Sequence, residues 1–231
     1  MRVLVFEVFG KLGHFRRFYT TSSSLTYPFP TPTAIRGLIG AIVGYGKDEY
    51  LEKTRGLALT VQILNPISTI VMSANYTNTK KDNKKDPRTQ AILHLLKDPK
   101  FRIFVLGEGE TFEKLKEHLE NREFVYTPVL GTSEHLAEIE YLGIFEAKLL
   151  ENYWGECYTI CPVDNFEFDD ITSLKIGKEL IPYDMENDRS EAKFLEVLYS
   201  KEPEKPLRGK FKRVLKIDKE LELIIAPIPQ L

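Results

Sequence analysis

The run Arg2–Phe9 constrains the fold more than any other segment. In an extended strand Val3, Val5 and Glu7 fall on one face and Leu4, Phe6 and Val8 on the other. A strand that is largely apolar on both faces has to be covered on both, which places it in the interior of a sheet. At 231 residues the chain is long enough to supply such a two-sided core.

The next two dozen residues contain Gly10, Gly13, Ser22, Ser23, Ser24, Pro28, Pro30 and Pro32, a composition that breaks regular structure and predicts a long loop. Thr31 or Thr33 then caps a helix with a first-turn proline at Pro32, and Ile35, Leu38, Ile39, Ile42 and Val43 recur at helical spacing. Gly37, Gly40, Ala41 and Gly44 form a second, small-residue stripe. Each interior Gly costs about 1 kcal/mol relative to Ala, so the stripe predicts close approach of another backbone, either a strand of the sheet or an RNA strand.

Further along, residues 57–64 read as a strand, 67–72 as its continuation or a second strand, and 101–106 as another. Residues 112–119 form a helix with Phe112, Leu115 and Leu119 on one side, and 137–147 is strand-like. The order strand, helix, strand, strand, helix, strand is that of an α+β, ferredoxin-like domain. It is expected over residues 1–147, with an insertion at about 73–100. Residues 148–231 read as a smaller β-rich region, with hairpin turns at Gly177-Lys178 and Asp218-Lys219.

The net charge of −2 hides strong segregation. Residues 10–36 contain no Asp or Glu but carry Lys11, Arg16, Arg17 and Arg36, whereas residues 108–156 hold twelve glutamates against Lys114, Lys116, Arg122 and Lys148. The first segment attracts phosphate and the second repels it. Within the first, arginines are mixed with Phe15, Phe18, Tyr19, Tyr27 and Phe29, the combination of forked donors and ring faces used on single-stranded RNA, although several of these rings can equally be core. A second basic stretch, 76–102, contains Lys80, Lys81, Lys84, Lys85, Arg88, Lys97, Lys100 and Arg102, and reads as a basic finger over a nucleic-acid backbone or as a solvated loop.

Other chemistries have little support. No phosphate loop, nucleophile elbow or dinucleotide fingerprint is present. His14, His94, His118 and His135 lack metal-ligand spacing, and Cys157 and Cys161 are too few for a disulfide framework and read as buried structural residues, so neither metal nor cofactor is expected. No apolar run is long enough to cross a bilayer and Glu7 interrupts any leader, which makes the cytoplasm the default location. His14 or Tyr19 as a base on a ribose hydroxyl, with Lys11 or Arg16 stabilising the developing charge, gives a metal-independent endoribonuclease as an alternative. An interaction module whose basic loop engages an acidic protein is a third reading.

The segments GHFRRF and LTYPFPTPTAIRGLIGAIVG, then DPRTQ before LKDPKFRIFVL, then TPVLGTSEHLAEI, resemble in order and spacing the fifth numbered family of CRISPR-associated (Cas) proteins over about residues 3–142. The resemblance implies a RAMP subunit of a type I Cascade surveillance complex, similar to subtype I-B. Such a subunit grips the 5′ handle of the crRNA, caps the assembly in antiviral defence and carries a thumb hairpin, here around residues 80–88. It implies as partners the crRNA, the backbone subunit and the large subunit, with target DNA reached indirectly through the complex. A subgroup of the family cleaves precursor RNA with a tyrosine and an adjacent Lys-His pair. Here Glu117 separates Lys116 from His118, so that activity is not carried over and no catalytic residue is expected. The expected RNA contacts are His14, Arg16, Arg17, Tyr19, Arg36, Lys80, Lys81, Lys84, Lys85 and Arg88.

Overall fold

The computed structural model describes residues 1–20, 23–77, 88–167, 175–217 and 221–228. The chain runs β1 (Arg2–Phe9), β2 (Leu12–Gly13), β3 (Ser23–Ser24), α1 (Pro32–Val43), α2 (Tyr50–Thr54), β4 (Ala58–Ile63), β5 (Thr69–Thr77), β6 (Arg88–Lys97), β7 (Lys100–Leu106) and α3 (Glu110–Asn121). It continues with β8 (Glu138–Cys157), β9 (Cys161–Pro162), a short 3-10 turn, β10 (Phe166–Glu167), β11 (Ile176–Met185), β12 (Ala192–Ser200), β13 (Leu207–Ile217) and β14 (Ile224–Ile225). This is an α+β architecture dominated by antiparallel strands. None of the described helices is long and apolar enough to cross a membrane.

As its two apolar faces require, β1 is interior, paired antiparallel with β7 on one side and β8 on the other. The main sheet runs β10-β13-β8-β1-β7-β4, with β14 paired to β13. Leu4, Phe6 and Val8 enter a core filled by Ile35, Ile39 and Ile42 of α1 and by Phe112, Leu115 and Leu119 of α3. Val3 and Val5 enter a second core with Leu215, Ile217 and Ile225. The outer edge of β4 is closed by main-chain bonds to Ile160 and Ile228, which leaves less of it open to pair with another chain.

The expected boundary at residue 147 falls inside β8. That strand pairs with β1 over its first half and with β13 from Ala147 to Cys157, so one sheet and one core span both expected regions. Of the residues 67–72 expected as a strand, 69–72 belong to β5, which pairs with β6 rather than with the main sheet. β6 in turn takes β2 and β3 on its other edge. The Gly177-Lys178 turn is also corrected: both residues lie inside β11, opposite Tyr199 and Leu198. Gly177 serves packing there, because a Cβ would sit 2.2 Å from the Tyr199 ring. The turn lies instead at residues 186–191, where the Asp188 carboxylate accepts from the Ser190 N–H and Arg189 takes φ 61°. Asp218 and Lys219 lie outside the described residues; β13 and β14, before and after them, pair antiparallel.

α1 begins at Pro32 with Thr31 as its cap, its hydroxyl accepting from Ala34 N–H at 3.3 Å, and ends on left-handed Gly44. The small-residue stripe packs on α2, not on the sheet: a Cβ at Gly40 would lie 2.8 Å from that of Tyr50. Arg36 is carried inward by the same helix and is 2% exposed. Its guanidinium donates to the carbonyls of Thr54 and Leu57, satisfying acceptors where α2 ends. Burial lowers its pKa to about 10. The expected RNA contact at Arg36 is therefore corrected, because the side chain is inside the fold and holds α1 to the chain after α2.

A polar cluster interrupts the second face of the sheet. Glu7 is 5% exposed and receives Lys100 Nζ at 2.6 Å and Arg102 Nη2 at 2.6 Å. Burial alone would raise the Glu7 pKa, but hydrogen bonds from Lys100 and Arg102 outweigh it and hold the value below the ordinary one.

Arg36→Leu leaves two carbonyls unpaired and lowers unfolding free energy by about 2–4 kcal/mol, read from urea denaturation; unchanged stability would return Arg36 to the list of surface contacts. Because the Glu7 pKa is depressed on folding, its contribution is complete above the unfolded value and is lost as pH falls through the folded one. Glu7→Gln should cost about 1–3 kcal/mol at neutral pH and flatten the acid limb of a stability against pH curve.

Candidate nucleic-acid interface

The acid-free loop is built from the inside out. Phe15, Tyr27 and Phe29 are core residues: Phe15 meets Phe101 edge-on at 6.1 Å, Phe29 meets Tyr199 at 5.2 Å, and the Tyr27 hydroxyl donates to Leu180 O at 2.9 Å. Burial pushes the Tyr27 pKa up to about 12. Phe18 and Tyr19 remain half exposed, at 53% and 52%.

The basic residues of this loop divide sharply. Arg17 donates to Thr26 O at 3.0 Å, to the Tyr19 hydroxyl at 2.5 Å and to Glu179 of β11 at 2.6 Å, which ties the loop to a strand 162 residues away. His14 is 5% exposed. Its Nδ1 is 2.9 Å from the His94 carbonyl, which can only accept, so Nε2 is left to accept from the Ser24 hydroxyl at 2.9 Å. Arg16 is exposed, with one guanidinium nitrogen donating to Thr20 O at 3.0 Å.

Arg16 faces a cleft of about 480 Å³ formed between this loop, the start of α1 and the β11–β12 hairpin. Its walls include Arg16, Phe18, Tyr27, Thr33 and Tyr50 from the first part of the chain, and Pro182, Met185, Arg189 and Phe194 from the hairpin. His14 contributes to the floor, but through a ring whose nitrogens are both engaged. Phe18 and Phe194 lie 4.4 Å apart, tilted by 45°, and Arg189 sits 5.7 Å from the Tyr50 ring centroid. Among the described residues no Asp or Glu lines the cleft. α1 has no acidic residue in its first turn, so the positive end of its dipole meets the opening uncompensated. Arginine forks, ring faces and a helix N-terminus together suit a phosphate with a splayed base.

Of the expected contacts, the fold thus brings Arg16, His14 and Tyr19 to one region, with Arg17 drawn into an ion pair and Arg36 internal. Arg88 is the first residue of β6, paired with Thr77 at the end of β5, the end of the hairpin farthest from its base at Thr69 and Leu96. Lys80, Lys81, Lys84 and Lys85 lie outside the described residues. Arg189 and Phe194 were absent from the expected set. Arg189 sits in a polar turn, and Phe194 in an ordinary alternating strand, so only the long-range packing of the hairpin identifies them. Cys157 and Cys161 are buried and free, and burial raises the Cys157 thiol to about 11. Among the described residues no group of three or more His, Cys, Asp or Glu is arranged to hold a metal.

The fold has counterparts among known proteins. The crystal structure of a CRISPR protein from Archaeoglobus fulgidus has a similar fold, with a TM-score of 0.57 at 16% identity over 98% of this chain and 99% of that one. A chain of a CRISPR RNA-guided surveillance complex gives 0.56 at 11% identity, covering 90% of each. A crystal structure described as a Cas protein gives 0.53 at 18%, covering 90% of this chain and 98% of that one. No protein of curated function matches in sequence. The family model described as CRISPR-associated protein (Cas_Cas5) matches residues 3–194, most of the sequence. On that match, the chain belongs to the Cas5 family of CRISPR-associated proteins.

Proposed function

We propose that this chain is a non-catalytic subunit of a type I CRISPR surveillance complex, Cascade, that binds the 5′ handle of the crRNA in the cytoplasm and caps the assembly in antiviral defence. The observation that carries the reading is the acid-free cleft lined by Arg16, Arg189, Phe18 and Phe194 at the positive end of α1. Such a lining favours a single strand with unstacked bases over a duplex, whose bases are not available to rings. We read the path β8-β1-β7-β4, with α1 and α3 between its strands, as the ferredoxin-like core of a RAMP protein. The β5–β6 hairpin is the thumb, and Lys80, Lys81, Lys84, Lys85 and Arg88 reach the RNA from it. The glutamate-rich stretch 108–156 turns toward the backbone and large subunits rather than toward RNA, and target DNA is met only through the complex.

The non-catalytic part rests on His14. A general base needs an accessible lone pair, and the Nε2 of this buried ring already accepts from Ser24. Lys116 and His118 lie on α3, where Lys116 pairs with Glu120 and His118 bonds to Glu123 O, away from the cleft lining.

The purified chain should bind the repeat-derived handle RNA tightly and with strong salt dependence. Arg16→Ala with Arg189→Ala should weaken it roughly ten- to a hundred-fold and make the salt slope shallower by about 1.4, or 0.7 per single-strand phosphate. Phe18→Ala should cost roughly ten-fold through lost stacking. Handle binding no tighter than that of a scrambled RNA would overturn the reading. Cyclic-phosphate ends generated in chelator would overturn its non-catalytic part.

A further inference from the structure

The outward face of β13 carries chemistry that the cleft does not use. Residues 205–217 contain no Asp or Glu but hold Lys205, Arg208, Lys210, Lys212, Arg213 and Lys216. Along the first part of the strand, Leu207, Gly209 and Phe211 are buried while Arg208, Lys210 and Lys212 are exposed. The two-residue period of a strand sets these three cations on one face at intervals of about 6.8 Å. Directly opposite Lys210 on β8 lies Trp154, the only tryptophan of the chain, 53% exposed. The Arg208 guanidinium is 5.2 Å from its ring centroid.

The neighbouring carboxylates do not cancel this row. Glu167 pairs with Lys210 at 3.0 Å, with both side chains about half exposed, and Glu156, opposite Arg208, accepts from the Tyr158 hydroxyl at 3.2 Å. Ion pairs this exposed contribute little and exchange readily for a phosphate. Among the described residues no carboxylate pairs with Lys212. A half-exposed indole beside an arginine and a periodic row of cations is the arrangement by which proteins track a single strand, the ring taking a base and the row its backbone.

We infer that Trp154, Arg208, Lys210 and Lys212 form a second nucleic-acid surface, for a single strand whose phosphates follow β13 while a base stacks on the indole. A duplex is a poor ligand here because its bases are already stacked. The surface shares no residue with the cleft, so it stands whether or not the cleft takes the handle.

Since Trp154 is the only tryptophan, its fluorescence reports the contact directly. Titration of the full chain with oligo(U) or oligo(dT) should quench it saturably and in a salt-sensitive manner. The Arg208→Ala, Lys210→Ala, Lys212→Ala variant should bind roughly ten- to a hundred-fold more weakly, with a salt slope shallower by about 2. With a labelled strand followed by anisotropy, Trp154→Ala should lose about ten-fold and Trp154→Tyr much less. The cleft variant Arg16→Ala, Phe18→Ala should keep the quench. Preference for oligo(U) assigns the surface to guide RNA, and equal or reversed preference to a displaced DNA strand; either supports the proposal. Absence of quenching at low salt, quenching unchanged in the β13 variant or lost in the cleft variant, or equal binding of a duplex would overturn it. All substituted side chains are exposed, so an unchanged thermal midpoint excludes misfolding.

Discussion

The burial of β1 on both faces organises everything else. Leu4, Phe6 and Val8 need the helical layer, and Val3 and Val5 need a second layer that only the C-terminal strands supply, through Leu215, Ile217 and Ile225. Residues far apart in sequence are thereby drawn around one strand, and removing either layer would expose a whole face of it. At about 1.5–3 kcal/mol for each fully buried apolar side chain, that exposure would cost an amount comparable with the stability margin of an ordinary domain. The Glu7 cluster is tolerated on the second face because Lys100 and Arg102, brought alongside on β7, hold the carboxylate charged.

The cleft inherits this dependence. Its two walls are more than 130 residues apart and are held in register by a few polar contacts: Arg17 to Glu179, Tyr27 to Leu180 O, and Thr33 to Pro182 O. Each joins the acid-free loop or the start of α1 to β11. The charge of Arg17 thus fixes the shape of the interface, and the interface charge itself falls to Arg16, Arg189 and the end of α1. The described parts of this long loop are anchored by aromatics in the core and by Arg17 on the opposite strand.

Local patterns were legible wherever burial is decided by neighbours in sequence. The two-faced strand, the Pro32 helix with its cap, and the Phe112, Leu115, Leu119 face all follow from period and capping chemistry alone. Fates decided by distant partners were not. A basic residue on a helix surface and one buried against carbonyls look alike in sequence, so Arg36 read as a phosphate contact until Thr54 and Leu57 appeared beside it. Gly177 read as a turn because a glycine making room for a ring, here Tyr199, has the same letter as one needed for positive φ. Arg189 and Phe194 carried no signal, since a polar turn and an alternating strand describe half the surface of any β-rich protein.

Charge segregation also has a different meaning once the fold is known. The absence of carboxylates from 10–36 does not make that segment freely cationic, because Glu179 neutralises Arg17 and the core takes Arg36. It keeps the cleft lining free of negative charge. With a net charge of −2 and a screening length of about 8 Å at physiological salt, the whole molecule cannot draw a nucleic acid from a distance. Attraction is confined to contact range, where a fork of donors and a ring face discriminate by geometry. Under the function proposed above, a chain built this way binds an RNA end already presented to it better than it searches for one in solution, as presentation within an assembled complex would allow.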